Sequence, residues 1–231
     1  MIYGKFKAKH LSFDAHTIHK ACSLLCIGEF LNIKNEYVVH GVKLLRPSDR
    51  RIRQIKRHQQ RNTAHGNKIW LSSLVLMDFL AEEPPAPDTR VIEIGCGWGA
   101  PSVMLAKQFR SKIIALDIDD AVEPLLRLHC ELNGCKVDFL RRDFGSLTRE
   151  DLAPCKLLIG SDICFWDHLI DPAYNLIITA QAMGTLKIAI ADPGRPPFWD
   201  LVNRLVKTTN VEVITRTIYE PRKTRKFILR L

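Results

Sequence analysis

The spacing of apolar residues changes along this chain, and the change marks out its elements. Ile18, Cys22, Leu25 and Cys26 recur at helical spacing, which predicts a helix over residues 15–31. Tyr37 to Leu45 predicts a strand or one arm of a short hairpin. Arg50 to Arg61 has a polar helical pattern, and Ser72 to Leu80 an amphipathic one. Glu82-Glu83-Pro84-Pro85-Ala86-Pro87-Asp88 is a breaker. Beyond it, short apolar runs predict strands over 90–94, 112–116, 136–140, 156–160 and 186–191. Helical patterns fit between them over 100–109, 121–133 and 171–183. Val211 to Tyr219 and Lys226 to Leu231 predict two final strands joined by a short basic turn.

Strands alternating with helices imply a parallel sheet covered on both faces. The last two strands add an antiparallel hairpin. The expected fold is therefore α/β: a Rossmann-like, seven-stranded, mostly parallel sheet with helices on both faces and a C-terminal antiparallel hairpin. An N-terminal extension over 1–65, helical with a short strand or hairpin, precedes a core domain over 66–231. A helical cap over the substrate mouth is the expectation for its first 60 residues.

The segment Val91-Ile92-Glu93-Ile94-Gly95-Cys96-Gly97-Trp98-Gly99 runs from a buried strand into a glycine turn ahead of a helix. The next strand, Ile113-Ile114-Ala115-Leu116, ends on Asp117. Strand, glycine turn, helix and an acid on the following strand describe a nucleoside-binding βαβ unit. Glycines let a ligand approach the main chain, and the acid can accept hydrogen bonds from ribose hydroxyls. The spacing is G-x-G-x-G rather than the G-x-G-x-x-G of dinucleotide sites, and Glu93 stands two residues before the first glycine. A diphosphate would be repelled by that acid. S-adenosylmethionine has no phosphate and carries cationic amino and sulfonium groups, so it is the expected cofactor, with S-adenosylhomocysteine as product. A plain strand–turn–helix joint without ligand is the alternative.

Of 231 residues, 46% are hydrophobic and 26% charged, ordinary values for a soluble globular chain. No apolar run approaches the roughly 20 residues that cross a bilayer. The start, Met1-Ile2-Tyr3-Gly4-Lys5-Phe6-Lys7, lacks the apolar core of a secretory signal. Seven cysteines include no CxxC pair; Cys22 and Cys26 share a helical face, and Cys130 and Cys135 lie near a helix end. Free thiols in a reducing compartment explain them better than disulfides or a metal. A cytoplasmic location is expected, or the mitochondrial matrix in a eukaryote, with no membrane or metal partner. The net charge of +9 is concentrated in two clusters. One holds Arg46, Arg50, Arg51, Arg53, Lys56, Arg57 and Arg61 against Asp49; the other holds Arg222, Lys223, Arg225, Lys226 and Arg230. Each is either a solvated face or a surface for nucleic acid or acidic protein. Few aromatics interleave with them, so no base-stacking platform is indicated.

With the motif at Glu93–Gly99 and the acid at Asp117, residues 66–231 resemble the class I (seven-β-strand) S-adenosylmethionine-dependent methyltransferases. Local strings resemble the methyltransferase-16 group, which is rich in protein-lysine methyltransferases. Ile69-Trp70-Leu71-Ser72-Ser73 is similar to that group's tryptophan segment ahead of the core. Leu128-His129-Cys130-Glu131-Leu132-Asn133 is similar to its N-x-x-L-N helix end, and Gly160-Ser161-Asp162-Ile163-Cys164-Phe165 to its Asp-x-x-Tyr signature. Ile190-Ala191-Asp192-Pro193-Gly194-Arg195-Pro196 resembles a D-P-G-R-P string of the electron-transfer-flavoprotein β-subunit lysine methyltransferases. Phe165 stands where the signature has tyrosine, so any role needing that hydroxyl is absent here.

The resemblance implies a cofactor set. Glu93 would face the methionine amino group through water, with Gly95 and Gly97 giving the backbone access. Asp117 would hold the ribose, Ile118 would lie against adenine, and Asp143-Phe144 would meet the adenine amino group and ring. Trp70 would cover the cofactor, and Ser161 joins the same set. Trp70 and Phe144 can also be core aromatics, and Asp117 a helix-capping acid. The implied reaction is an in-line displacement in which the enzyme mainly positions a nucleophile. A lysine acceptor must first lose its proton; with a reference pKa near 10.4, holding it neutral at pH 7 costs about 4.6 kcal/mol. Asp162, Phe165 and Trp166 are the candidate catalytic set, an acid in a desolvating aromatic pocket at the C-terminal end of a strand. Asp162 can instead cap the next helix; Asp167 and His168 are lesser candidates. Arg195 can bind an acidic substrate group or pair with a neighbouring carboxylate.

Protein-lysine methylation is the leading expectation. Small-molecule methylation is an alternative, and so is RNA methylation on the basic patches, although Ser161-Asp162-Ile163-Cys164 departs from the [N/D/S]-P-P-[Y/F/W] string of amino-methylating nucleic-acid enzymes. A cofactor-binding partner subunit without catalysis is the non-enzymatic reading; the presence of Glu93, Asp117 and Asp162 argues against it.

Overall fold

The structure, a computed structural model, describes residues 31–33, 35–59, 66, 68–185 and 187–231. The helix predicted over 15–31, apart from Leu31, lies outside the described residues together with Cys22, Cys26 and Arg61.

After the acidic-proline breaker the chain enters a seven-stranded sheet through its middle. Strand β4 (Arg90–Ile94) is followed by β5 (Lys112–Asp117) and β6 (Asp138–Arg141), which extend the sheet to one side. The chain then crosses over, and β7 (Leu157–Ser161) and β8 (Lys187–Asp192) extend it to the other. The antiparallel pair β9 (Glu212–Ile218) and β10 (Thr224–Arg230) completes the order β6-β5-β4-β7-β8-β10-β9, with β10 inserted between β8 and β9. The order reverses between β4 and β7, so a crevice opens at the C-terminal ends of these two strands, where open α/β sheets bind ligands.

Helices cover both faces, and the strands show why. Val91, Ile113, Ala115, Leu157, Ile159, Ala189 and Ala191 face one way, into a core shared with α2 (Leu71–Glu82), α3 (Ala100–Phe109) and α4 (Glu123–Asn133). Their alternates Ile92, Ile94, Leu116, Leu158, Ile188 and Ile190 face the other way, against α6 (Ile170–Ala182) and α7 (Pro196–Leu205). Such strands must be apolar at successive positions, which produces the continuous runs of the sequence. A short helix, α5 (Arg149–Leu152), closed by a capping box on Thr148 and Asp151, leads into β7.

Helix α7 goes beyond the sequence-based elements. Its Pro196 and Pro197 fill the first helical positions, where a missing N–H costs nothing, and Phe198, Leu201, Val202 and Leu205 form its buried stripe.

The described part of the extension is a small sheet followed by a helix. Strands β1 (Leu31–Ile33), β2 (Glu36–Val39) and β3 (Val42–Leu45) form an antiparallel three-stranded sheet, followed by α1 (Arg50–His58). Tyr37–Leu45 is thus a whole hairpin rather than one strand, and the helix expected to reach Arg61 ends at His58. Strand β3 of this sheet packs on α3 and α4; the helical cap expected over the mouth falls largely on residues outside those described. Lys43 N–H donates to Asn133 Oδ1 at 2.9 Å, and Asn133 Nδ2 donates back to Lys43 O at 2.8 Å. Leu45 N–H donates to His129 Nε2 at 3.0 Å, so His129 carries its proton on Nδ1, 2.7 Å from Leu125 O. Burial pushes the His129 pKa down to about 4.

Candidate active site

A cavity of about 410 Å³ occupies the crevice at the strand ends. The glycine turn after β4, the tip of β5, the loop after β6 and the loop after β7 all contribute to its wall. Asp117 reaches from β5 back to the glycine turn: its Oδ2 accepts from Gly97 N–H at 2.9 Å and its Oδ1 from Asp119 N–H at 3.0 Å. It caps no helix; Asp119 caps the following 3-10 turn instead. A carboxylate has about four lone-pair sites, so Asp117 retains capacity for two hydroxyl donors. Burial raises its pKa.

The glycines divide their work. Gly97 has φ +52°, and a Cβ there would meet nothing within 4 Å, so its open face is turned to the cavity. Gly99, at φ +70°, starts α3, and a Cβ there would run into Leu126 Cδ1 on α4 at 2.2 Å. The third glycine therefore sets how closely α3 and α4 pack, while the turn ahead of it admits a ligand.

Glu93 lies outside this wall. It points to the face of the sheet covered by α3, is fully buried, and accepts from Ser102 N–H (3.1 Å) and Ser102 Oγ in the first turn of that helix. Burial dominates its titration and raises its pKa to about 8, so it is largely neutral at pH 7. Its Oε1 is buried without a partner among the described residues. The acid that argued against a diphosphate therefore does not supply the field of the cavity. Asp117, Asp119, Asp143 and Asp162 line it, against Arg142 and His168.

Ile118 projects into this opening and is 68% exposed. Opposite it stand Phe144 and Asp143, whose Oδ1 accepts from Gly145 N–H at 2.8 Å. Trp70, at the start of α2, and Ser161, at the end of β7, also line the wall.

The loop after β7 holds the other cluster. Asp162 has φ +57°, a left-handed conformation uncommon for a residue with a Cβ. Such strain persists where surrounding structure holds it, and often at functional sites. Its N–H donates to Ala191 O at 2.9 Å, fixing the turn to β8. Its Oδ1 accepts from Arg195 Nη1 at 2.7 Å, while Oδ2 is buried without a partner among the described residues. Arg195 Nη1 also donates to Asp192 Oδ2 at 2.8 Å, and Asp192 Oδ1 accepts from the Gly194 and Arg195 N–H groups. Two carboxylates share one guanidinium, leaving the trio with a net negative charge when both are ionised. Burial raises the Asp192 pKa.

So Arg195 pairs with neighbouring carboxylates, and Asp162 caps no helix: the 3-10 turn before α6 begins after Trp166 without a side-chain cap. The Arg195 guanidinium carbon lies 4.2 Å from the centre of the Phe165 ring. Phe165 meets Trp70 edge-on at 5.8 Å and Trp166 at 5.7 Å. The predicted Asp162, Phe165 and Trp166 therefore line the same cavity as Asp117 and Gly97, and Arg195 supports them from behind. Asp119, Arg142, Ile163 and Pro172 also line it and were not predicted. Ile163 is signalled in the sequence by its place inside the Asp162–Phe165 string; Asp119, Arg142 and Pro172 have no such signal. His168 lines the cavity from an exposed position, and Asp167 is exposed without lining it. Among the described residues no group of three or more potential ligands could hold a metal, and no helix is long and apolar enough to cross a membrane.

Residues 91–177 match the family model described as "Methyltransferase domain". The electron transfer flavoprotein beta subunit lysine methyltransferase of Xenopus laevis is 30% identical over 131 residues, 56% of this chain and 52% of that protein. A ubiquinone biosynthesis O-methyltransferase of Hahella chejuensis is 26% identical over 132 residues, 57% of this chain and 51% of that one. The chain thus spans about half the length of the curated relatives it matches. Among solved structures, precorrin-6y C5,15-methyltransferase from Geobacter metallireducens aligns with a TM-score of 0.56 at 13% identity, covering 74% of this chain and 91% of that one. The tRNA (uracil-54, C5)-methyltransferase of Pyrococcus abyssi, solved with S-adenosyl-L-homocysteine, aligns with a TM-score of 0.52 at 13% identity, covering 88% and 44%. These likenesses are of fold.

Proposed function

We propose that this chain, whose residues 91–177 match a methyltransferase domain, is a class I S-adenosylmethionine-dependent methyltransferase that binds S-adenosylmethionine in the crevice and methylates the side-chain amine of a protein lysine. The observation that carries the reading is the buried Asp162 carboxylate, with one oxygen unpartnered, facing the same cavity as the ribose-type acid Asp117.

The residues present fit the cofactor. The cavity wall is acidic, which favours a cationic nucleoside and disfavours a diphosphate. Asp117 is anchored to the glycine turn with acceptor capacity to spare, Ile118 and Phe144 offer apolar surfaces for a base, and Asp143 stands beside them for its amino group. When bound, the cofactor supplies an activated methyl group on sulfur.

The protein's own part is placement and proton handling. Trp70, Phe165 and Trp166 form an aromatic wall that excludes water and lowers the pKa of an incoming amine. The free Oδ2 of Asp162 is positioned to accept a hydrogen bond from that amine and to stabilise the cationic product. Arg195 holds the Asp162 carboxylate in one orientation and, by stacking on Phe165, fixes the aromatic wall as well. Likeness to a lysine methyltransferase at 30% identity favours the protein acceptor. Likeness to ubiquinone-pathway O-methyltransferases favours a second reading, a small-molecule hydroxyl. A cytoplasmic or matrix location goes with the reading of unpaired thiols.

The test is incubation of the protein with methyl-labelled S-adenosylmethionine and lysate of its own cell type, treated separately with protease and nuclease. Label removed by protease alone supports the lysine reading. Label removed by nuclease alone, or confined to the small-molecule fraction, contradicts it.

A further inference from the structure

We propose that the methyl acceptor enters through a second, cationic cavity and carries a carboxylate close to its methylated amine, bound there by Arg222 and Lys226. The inference rests on the methyltransferase reading above and names the acceptor class: a lysine flanked in its own chain by glutamate or aspartate.

A cavity of about 490 Å³ adjoins the first, and Trp70 and Asp162 line both. It is thus a second approach to the proposed reacting position rather than a remote hollow. Its other wall brings together cations from separate parts of the chain: Arg46 after β3, Lys68 before α2, and Arg222 and Lys226 from the turn and start of β10. The two basic clusters of the sequence meet here.

Pairing elsewhere makes these charges stand out. On the same hairpin, Arg216 is held by Asp78 and Glu82, and Arg230 by Glu83 and Glu212. Lys68, Arg222 and Lys226 form no salt bridge among the described residues. Like charges gathered around a concavity focus field on whatever enters it, and an anion relieves their repulsion. A lone lysine side chain would be repelled on the way to Asp162; a neighbouring carboxylate offsets that.

The aromatic residues favour peptide over nucleic acid. The Lys68 amine sits 4.5 Å from the Trp70 ring centre, and the Arg46 guanidinium 4.3 Å from that of Tyr37. With a cation over each ring, the cavity lacks the bare stacking platform that single-stranded nucleic acid uses.

The test uses two fluorescein-labelled peptides with a central lysine, identical except that glutamates flank the lysine in one and glutamines in the other. Binding is read by anisotropy with S-adenosylhomocysteine present, for the wild-type chain and the double variant R222E/K226E. The expected result is at least tenfold tighter binding of the glutamate peptide to wild type, and loss of that preference in the variant. Calorimetry with S-adenosylhomocysteine should give equal affinity for both proteins, since neither residue lines the first cavity. Equal affinity for the two peptides in wild type, or an unchanged preference in the variant, overturns the inference. So does an RNA oligomer that the variant loses while peptide binding stays intact. If wild type binds no S-adenosylhomocysteine, the methyltransferase reading itself fails; if it binds that compound but shows no charge preference, only the entry route fails.

Discussion

Arg195 Nη1 lies 2.7 Å from Asp162 Oδ1 and leaves Asp162 Oδ2 buried without a partner among the described residues. One oxygen is fixed and the other keeps its hydrogen-bonding capacity unspent beside the cavity that Asp162 lines, a division suited to positioning an amine. Asp162→Asn should therefore lower turnover on the natural acceptor by about 100-fold or more, in the range seen for loss of a catalytic acid–base group. Affinity for S-adenosylhomocysteine should stay within a few-fold. Arg195→Lys should also lower turnover, because an ammonium lacks the planar fork that bridges Asp162 and Asp192 while lying over the Phe165 ring. Steady-state rates paired with calorimetry separate these effects; full activity in Asp162→Asn would remove Asp162 from the mechanism.

Asp117 ties the tip of β5 to the glycine turn and faces the ligand from there. Asp117→Ala removes both functions. Hydrogen bonds to charged groups contribute about 1.5–3 kcal/mol, so affinity for S-adenosylhomocysteine should fall roughly 10- to 100-fold. An unchanged dissociation constant in a titration would contradict its ribose role.

Glu93 makes the fold lose stability as pH rises between about 4.5 and 8. Its carboxyl titrates near 4.5 when unfolded and near 8 when folded, so between those values the folded chain holds a proton that the unfolded chain has released. Stability from this group therefore falls as pH rises through that window, by at most ~1.4 kcal/mol for each pH unit. Glu93→Gln mimics the protonated form and has no such loss. Denaturant unfolding at pH 6 and pH 8.5 should show the variant gaining stability relative to wild type at the higher pH. Parallel behaviour of the two proteins would show that Glu93 is ionised in the fold.

His129 acts in the opposite direction. Its pKa is lowered from 6.5 to about 4, so the folded chain resists a proton that the unfolded chain accepts, and stability falls as pH drops through that window. Protonation at Nε2 also removes the acceptor for Leu45 N–H, which docks the N-terminal sheet on α4. The exchange protection factor of the Leu45 amide should therefore decline between pH 6.5 and 4. A flat protection factor would mean the sheet is held by other contacts.

The middle of the parallel core was legible because β7 and β8 are buried on both faces and read as short apolar runs, and β4 differs from them by Glu93 alone among its buried positions; the edge strand β6 is mostly exposed and carries a weaker apolar signal. The glycine turn was legible for a different reason: Gly97 and Gly99 occupy backbone angles that few other residues tolerate. Asp117 and Asp162 could be found because strand ends place their side chains in the crevice. What escaped depends on side-chain direction. Glu93 looks like a cavity acid in the linear motif, but strand alternation turns it to the face covered by α3. Arg195 was left open between substrate and structure, and only the folded turn brings Asp162 and Asp192 to it. Helix α7 was hidden because Pro196-Pro197 reads first as a break, although its apolar spacing at Phe198, Leu201, Val202 and Leu205 is helical. The cationic cavity joins residues more than a hundred positions apart, a distance no local pattern spans.

Isothermal titration of the purified chain with S-adenosylhomocysteine, and separately with NAD, tests the central claim most directly. An acidic crevice with Asp117 at one end and Asp162 at the other should bind the phosphate-free nucleoside with a one-to-one stoichiometry, lose that affinity in Asp117→Ala, and give no heat with NAD. Tight NAD binding with no signal from S-adenosylhomocysteine would contradict the account.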